Sequence, residues 1–312
     1  MQSSKYFEDL FPCLNGEQAF DLYQEIQTQL PQASYPAFSV AKASLLDVAE
    51  NIDTFVFDAF GVLNVGESTI DGAVQRIADL RALGKNVFVL TNAASYNAKD
   101  TFTKFENLGF DFSASEIVSS RNAAEAALIS IGADMIWGVA ATDKFDISEL
   151  PQTALKLGDD VEDYDAATAF LFLSVQDWNA DRQAMLEASL ERNKRPVIIA
   201  NPDIVAPRGN TFSTEPGYFG HRMARLLDVE VQFHGKPFPS VYDIVAKRLA
   251  ASNVAPERIC MVGDTLHTDI LGGAARGWKT ALVTDHGLFK GLDPNHYIKQ
   301  SGIAPDWMIG SI

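Results

Sequence analysis

The sequence predicts an α/β protein: a parallel sheet with helices on both faces, a second α/β domain inserted into it, and a helical extension at the N terminus. Three observations predict this. Short apolar runs such as TFVF, NVFVL and RICMV alternate with segments whose apolar residues recur every three or four positions. The runs are apolar throughout, as strands covered on both faces are. At 312 residues the chain also exceeds one ordinary core, so two domains or a core with a large insertion are required.

Taken in order, EQAFDLYQEIQTQL (17–30) places Phe20, Tyr23, Ile26 and Leu30 on one helical stripe that stops at Pro31. We read it as part of an extension over 1–50, packing on the core. SLLDVAENID then leads into TFVF, the first of six clear strands; the others are NVFVL, AFLFL, PVIIA, RICMV and TALVT. DGAVQRIADLRALG, NAKDTFTKFENLG, RNAAEAALISIG and SVYDIVAKRLAA read as helices, several closed by glycine. The expected domains are a core over 51–121 and 231–312 and an inserted α/β domain over 122–230. The insert's strands are IWGVA, FLFLS and PVIIA, with the helix QDWNADRQAMLEASLERNK between them.

Composition excludes several function classes. With 47% hydrophobic and 21% charged residues the chain is an ordinary globular protein. Lys and Arg number 25 against 41 Asp and Glu, a net charge of −16, which repels nucleic-acid phosphates and anionic membranes. A small phosphorylated ligand needs local help from Lys, Mg²⁺ or backbone N–H groups. Cys13 and Cys260 lie far apart without metal-type spacing, no run approaches 18 apolar residues, and the first residues lack a leader pattern, so the expected setting is the reducing cytoplasm. Oligomeric state has no sequence signal.

Open parallel sheets put their chemistry beyond the carboxyl ends of the strands. Here the residues that end the runs are Asp58, Thr91 and Asn92, Asn201-Pro-Asp203, and Gly263-Asp264. One carboxylate after a strand is usually a turn or cap residue, and so are Thr and Asn before a helix. This many polar strand ends is harder to assign to turn chemistry.

FDAFGVL, VLTNA, GKPFPSVY and MVGDTLHTDILGGAARG, in this order, resemble the four signatures of the haloacid dehalogenase-like (HAD) hydrolase superfamily. With NPDIVAP and PGYFGHRMARLL, the long insert resembles class IIA, the group of NagD-type, p-nitrophenyl phosphate and phosphoglycolate phosphatases. The resemblance runs from about residue 54 to 290 and implies a Rossmann-like core under an α/β cap. It implies a phosphatase that acts on a small phosphorylated metabolite through an aspartyl-phosphate.

Under that resemblance Asp58 is the nucleophile, and Lys236 orders it and offsets phosphoryl charge. Thr91 and Asn92 donate to non-bridging oxygens. Mg²⁺ takes Asp58, the backbone carbonyl of Phe60 and Asp264, with Asp269 behind them holding a water or Lys236. Asn201 and Asp203 are the insert's candidates for substrate contact, and the insert acts as a closing lid that sets specificity. The five histidines, His221, His234, His267, His286 and His296, read as surface or loop residues; His234 and His267 stand close enough in sequence to these motifs to touch a substrate.

Two departures matter. Most phosphatases of the superfamily have Asp two residues after the nucleophile as general acid and base, and this chain has Phe60. Such catalysis is typically worth roughly 10²–10⁴-fold, so the expected enzyme is slow or limited to good leaving groups. Ala93-Ala94 also replaces the usual Asn-Ser. An aromatic residue at the Phe60 position occurs in the haloacid dehalogenases, which need no acid and no Mg²⁺. The alternatives are therefore a phosphate-ligand-binding protein with impaired catalysis and, third, a dehalogenase-like C–X hydrolase.

Overall fold

A computed structural model describes residues 7–12, 14–131, 134–208 and 211–312; Cys13 lies outside them. By packing, the chain divides into two compact units. The larger holds Gln27–Thr91, Ala98–Ser119 and Lys236–Ile312; the other holds the residues up to Ile26, Asn92–Asn97 and Ser120–Gly235.

The larger unit is built on seven parallel strands, in the order Val40–Ala41, Trp307–Ile309, Lys279–Val283, Ile259–Gly263, Thr54–Phe57, Asn86–Thr91 and Ile117–Ser119. The two most apolar runs lie side by side at its centre and are buried along their whole length. Phe55, Phe57, Val87, Val89, Cys260 and Val262 pack with Ile77, Leu80 and Phe105 from the helices Ala73–Ala82 and Ala98–Asn107. Ahead of Thr54–Phe57, Ser44 and Asp47 form a capping box that starts the short helix Leu45–Asn51.

The smaller unit has its own sheet of five parallel strands, in the order Val231–Phe233, Val197–Ile199, Ala169–Phe172, Trp137–Ala140 and Ala154–Lys156. Its core joins Trp137, Val139, Leu171, Leu173 and Ile198 to Ala124 and Leu128 of the helix Ser120–Ile131. Ala94 belongs to this cluster, which gives the second alanine of the Ala93-Ala94 pair a packing reason. The helix Gly16–Ile26 is also in this unit and buries Phe20, Tyr23 and Ile26 of the predicted stripe. No helix among the described residues is long and apolar enough to cross a membrane.

The six runs read as strands are strands. The sequence reading does not pick out Ile117–Ser119, Ala154–Lys156, Val231–Phe233 or Trp307–Ile309, each three residues long. Three residues carry too few positions for a periodicity, so pairing with a neighbour defines these strands.

Candidate active site

Asp58 is the first residue after Thr54–Phe57, and its N–H still donates to Val262 O at 2.8 Å, so the sheet's ladder fixes its backbone. The chain then turns tightly. Ala59 O accepts from the N–H groups of Leu63 and Asn64 at 2.8 and 3.0 Å, and Gly61, at φ +76°, makes the turn without a Cβ penalty. This turn presents Asp58 and half-buried Phe60 at the strand end. Asp58 Oδ1 takes the Ala59 N–H at 2.7 Å and the Lys236 ammonium at 2.5 Å.

Lys236 is almost fully buried, and its ammonium also reaches Asp269 Oδ1 at 2.7 Å. Asp264 follows Ile259–Gly263, the strand paired with that of Asp58. Asp269 sits on a wide helical turn, Leu266–Ile270, where the Thr265 N–H holds its Oδ2 at 3.1 Å. Carboxylate oxygens of Asp58, Asp264 and Asp269 all lie within 4.8 Å of one another.

Three carboxylates around one ammonium leave an excess of negative charge in a buried place. Burial, then the charges of Asp58 and Asp269, push the Asp264 carboxyl well above the usual carboxylate range. A hard divalent cation relieves this, and an all-oxygen donor set suits Mg²⁺. The residues present therefore fit such an ion.

Sequence reasoning missed the groups that hold Asp264. Its Oδ2 accepts the Leu288 N–H at 3.0 Å and its Oδ1 the Thr265 hydroxyl at 3.1 Å. Gly287, at φ +67°, comes so close that an added Cβ would stand 1.7 Å from Oδ2. Thr265 had a signal, its place inside GDT; Gly287 and Leu288 had none, since DHGLF resembles any loop after a strand.

Thr91 ends the strand beside that of Asp58, where Phe57 pairs with Val89, and it is buried. Asn92, Asn201 and Asp203 meet one another within the smaller unit: Asn92 Nδ2 donates to Asp203 Oδ1 at 2.8 Å, and Asp203 N–H to Asn201 Oδ1 at 3.0 Å. Two histidines depart from the surface reading. His221 stacks on Phe233 at 4.4 Å and His267 lies in the turn before Asp269, both buried. Desolvation lowers each imidazole to about 3, so both are neutral at ordinary pH.

The profile of the haloacid dehalogenase-like hydrolases matches residues 55–146 and a HAD-hydrolase-like profile matches 233–309. Phosphoglycolate phosphatase 1A, chloroplastic, of Arabidopsis thaliana is 29% identical over 255 residues, covering 75% of this chain and 69% of the relative. Glycerol-3-phosphate phosphatase of Homo sapiens is 26% identical over 305 residues, covering 87% and 91%. Among solved structures, a HAD-superfamily protein of Cytophaga hutchinsonii described as a possible sugar phosphatase superposes with a TM-score of 0.75 at 25% identity, covering 88% of this chain and 98% of that one. The p-nitrophenyl phosphatase of Archaeoglobus fulgidus, at 19% identity and a TM-score of 0.68 over 83% of this chain and 96% of its own, shares the fold. The two profiles together span more than half of the 312 residues and take in Asp58, Lys236, Asp264 and Asp269, so the chain belongs to the haloacid dehalogenase-like hydrolase superfamily.

Proposed function

We propose that the protein is a Mg²⁺-dependent phosphatase of a small phosphorylated metabolite, with Asp58 as nucleophile. The observation that carries this is the joint placement of Asp58, Asp264 and Asp269 around the Lys236 ammonium. Relatives named for phosphoglycolate and glycerol-3-phosphate support the substrate class. We assign it to a reducing, cytoplasm-like compartment on cysteine usage alone.

Lys236 and the Ala59 N–H both engage Asp58 Oδ1 and so orient the carboxylate that attacks phosphorus. A carboxylate lone pair forms the O–P bond while the ester P–O bond breaks and its electron pair leaves with the departing oxygen. Water then attacks phosphorus, the bond between phosphorus and the Asp58 oxygen breaks with its electron pair returning to the carboxylate, and the water's protons leave on the phosphate. Asp58, the Phe60 carbonyl and Asp264 would hold Mg²⁺, which would supply neutralisation of charge on the phosphoryl oxygens. Asp269 keeps the Lys236 ammonium turned towards Asp58. Thr91 and Asn92 are assigned to the phosphoryl oxygens, and Asn201 and Asp203 to substrate choice.

Phe60 offers no proton to the leaving oxygen, which therefore departs as an anion. That favours aryl and acyl phosphates, and it is the one observation that also supports a ligand-binding protein with little turnover. The test is a panel of aryl, acyl and alkyl phosphates and 2-haloacids, assayed with Mg²⁺ and with EDTA. Mg²⁺-dependent phosphate release is the expected result. Saturable phosphate-ester binding without release would transfer the protein to the binding reading, and metal-independent halide release to the dehalogenase reading.

A further inference from the structure

The turn Asn201-Pro-Asp-Ile204 is tied down at almost every peptide. Gly217 N–H donates to Asp203 O at 3.0 Å and Glu215 N–H to Ile204 O at 2.9 Å. Asn201 Nδ2 reaches Glu215 Oε2 at 3.3 Å, and the Ser213 hydroxyl holds Glu215 Oε1 at 2.6 Å. One bond comes from far away in the chain: the buried N–H of Ile204 donates to the hydroxyl of Tyr23 at 3.1 Å, across 181 positions.

The same turn bears on the two segments that adjoin predicted site residues. Asp203 Oδ1 holds Asn92, which directly follows Thr91, and the Asn92 carbonyl accepts the Ser120 hydroxyl at 2.8 Å. Gly235, which directly precedes Lys236, lies so close that an added Cβ would stand 2.5 Å from Pro202 Cδ and 2.7 Å from Asn92 Oδ1. A shift of the turn therefore moves Asn92 and crowds Gly235.

We infer that Tyr23 is a positioning residue: its hydroxyl holds the Asn201–Ile204 turn in register and, through Asp203, sets the amide of Asn92. The N-terminal segment around it is anchored separately. Tyr218 Oη donates to Asp9 O at 2.5 Å, the Thr214 hydroxyl to Pro12 O at 3.2 Å, and Phe7 stacks on Tyr218 at 5.4 Å. These bonds fasten the segment, and the Tyr23 bond connects it to the turn. The catalytic consequence rests on the phosphatase reading above; the structural one does not.

The test compares wild type, Tyr23→Phe, Asp203→Ala and the double variant, with Tyr218→Phe as control. Tyr23→Phe keeps the ring and removes only the oxygen. Two quantities are read: kcat and KM on p-nitrophenyl phosphate with Mg²⁺, and hydrogen exchange of the 92–97 peptide. The expected result is faster exchange at 92–97 in Tyr23→Phe and a fall in kcat/KM of about three- to tenfold, with the Mg²⁺ half-saturation unchanged. In the Asp203→Ala background the same change should cost less than about twofold, because the connection is already cut. Tyr218→Phe, which loosens the segment but not the turn, should alter neither readout. Unchanged exchange at 92–97, or an equal fall in both backgrounds, would overturn the inference. If wild type releases no phosphate from any ester, the phosphatase reading fails and the exchange measurement alone decides the role of Tyr23.

Discussion

At Asp58 a single oxygen takes both the Lys236 ammonium and the Ala59 N–H, so the carboxylate is oriented before any substrate arrives. Asp58→Asn replaces the proposed nucleophile, a charged carboxylate, with a neutral amide, and steady-state assays should show a loss of at least about 10³-fold in kcat. Gly287→Ala attacks the same site from the side of the proposed metal, since φ +67° and a Cβ 1.7 Å from Asp264 Oδ2 both oppose it. Its Mg²⁺ affinity should fall about 10–100-fold, read as loss of Mg²⁺-induced thermal stabilisation, independently of turnover. Under the proposed mechanism Phe60 supplies no acid, so the rate depends on the leaving group. Aryl phosphates should exceed alkyl phosphates of similar size by about 10²–10⁴-fold in kcat/KM, and near-equal values would mean that another group delivers the proton.

Among the elements, the helix Ser120–Ile131 is joined to the turn Ile147–Glu149 by a fully buried Arg121, which bonds Glu125 and Glu149 at 2.8 Å each. Arg121→Ala leaves two carboxylates without their cation, and urea unfolding should show a loss of about 3 kcal/mol. The helix Pro216–Leu227 carries His221, held neutral by burial, with its pKa lowered to about 3 from 6.5. Between those pH values the unfolded chain binds the extra proton, so stability is full above pH 6.5 and declines as pH falls towards 3. From pH 6.5 to 4.5 this one group accounts for about 2–3 kcal/mol, and His221→Phe should flatten that part of the melting-temperature profile.

On the scale of the whole molecule, a net charge of −16 opposes the approach of any dianion, so the proposed phosphoester would gain from the buried ammonium of Lys236 only at close range. With Mg²⁺ saturating, kcat/KM should rise as salt goes from about 20 to 200 mM, because screening weakens the repulsion more than the contact. A profile that falls with salt would point to a basic approach path. The sequence by itself determined the α/β class and the longer strands, because runs of five or six apolar residues bury both faces wherever they pair. It also named Asp58, Lys236, Asp264 and Asp269 through short motifs whose spacing survives without context, and the structure gathers these four together. Only the tertiary structure decided what no local pattern encodes. The three-residue strands exist through their neighbours' hydrogen bonds. The burial of His221 and His267 depends on what packs over them. Leu288 acts on Asp264 through a backbone N–H that any residue but proline could supply, and Tyr23 meets Ile204 across 181 positions, a contact that folding alone creates.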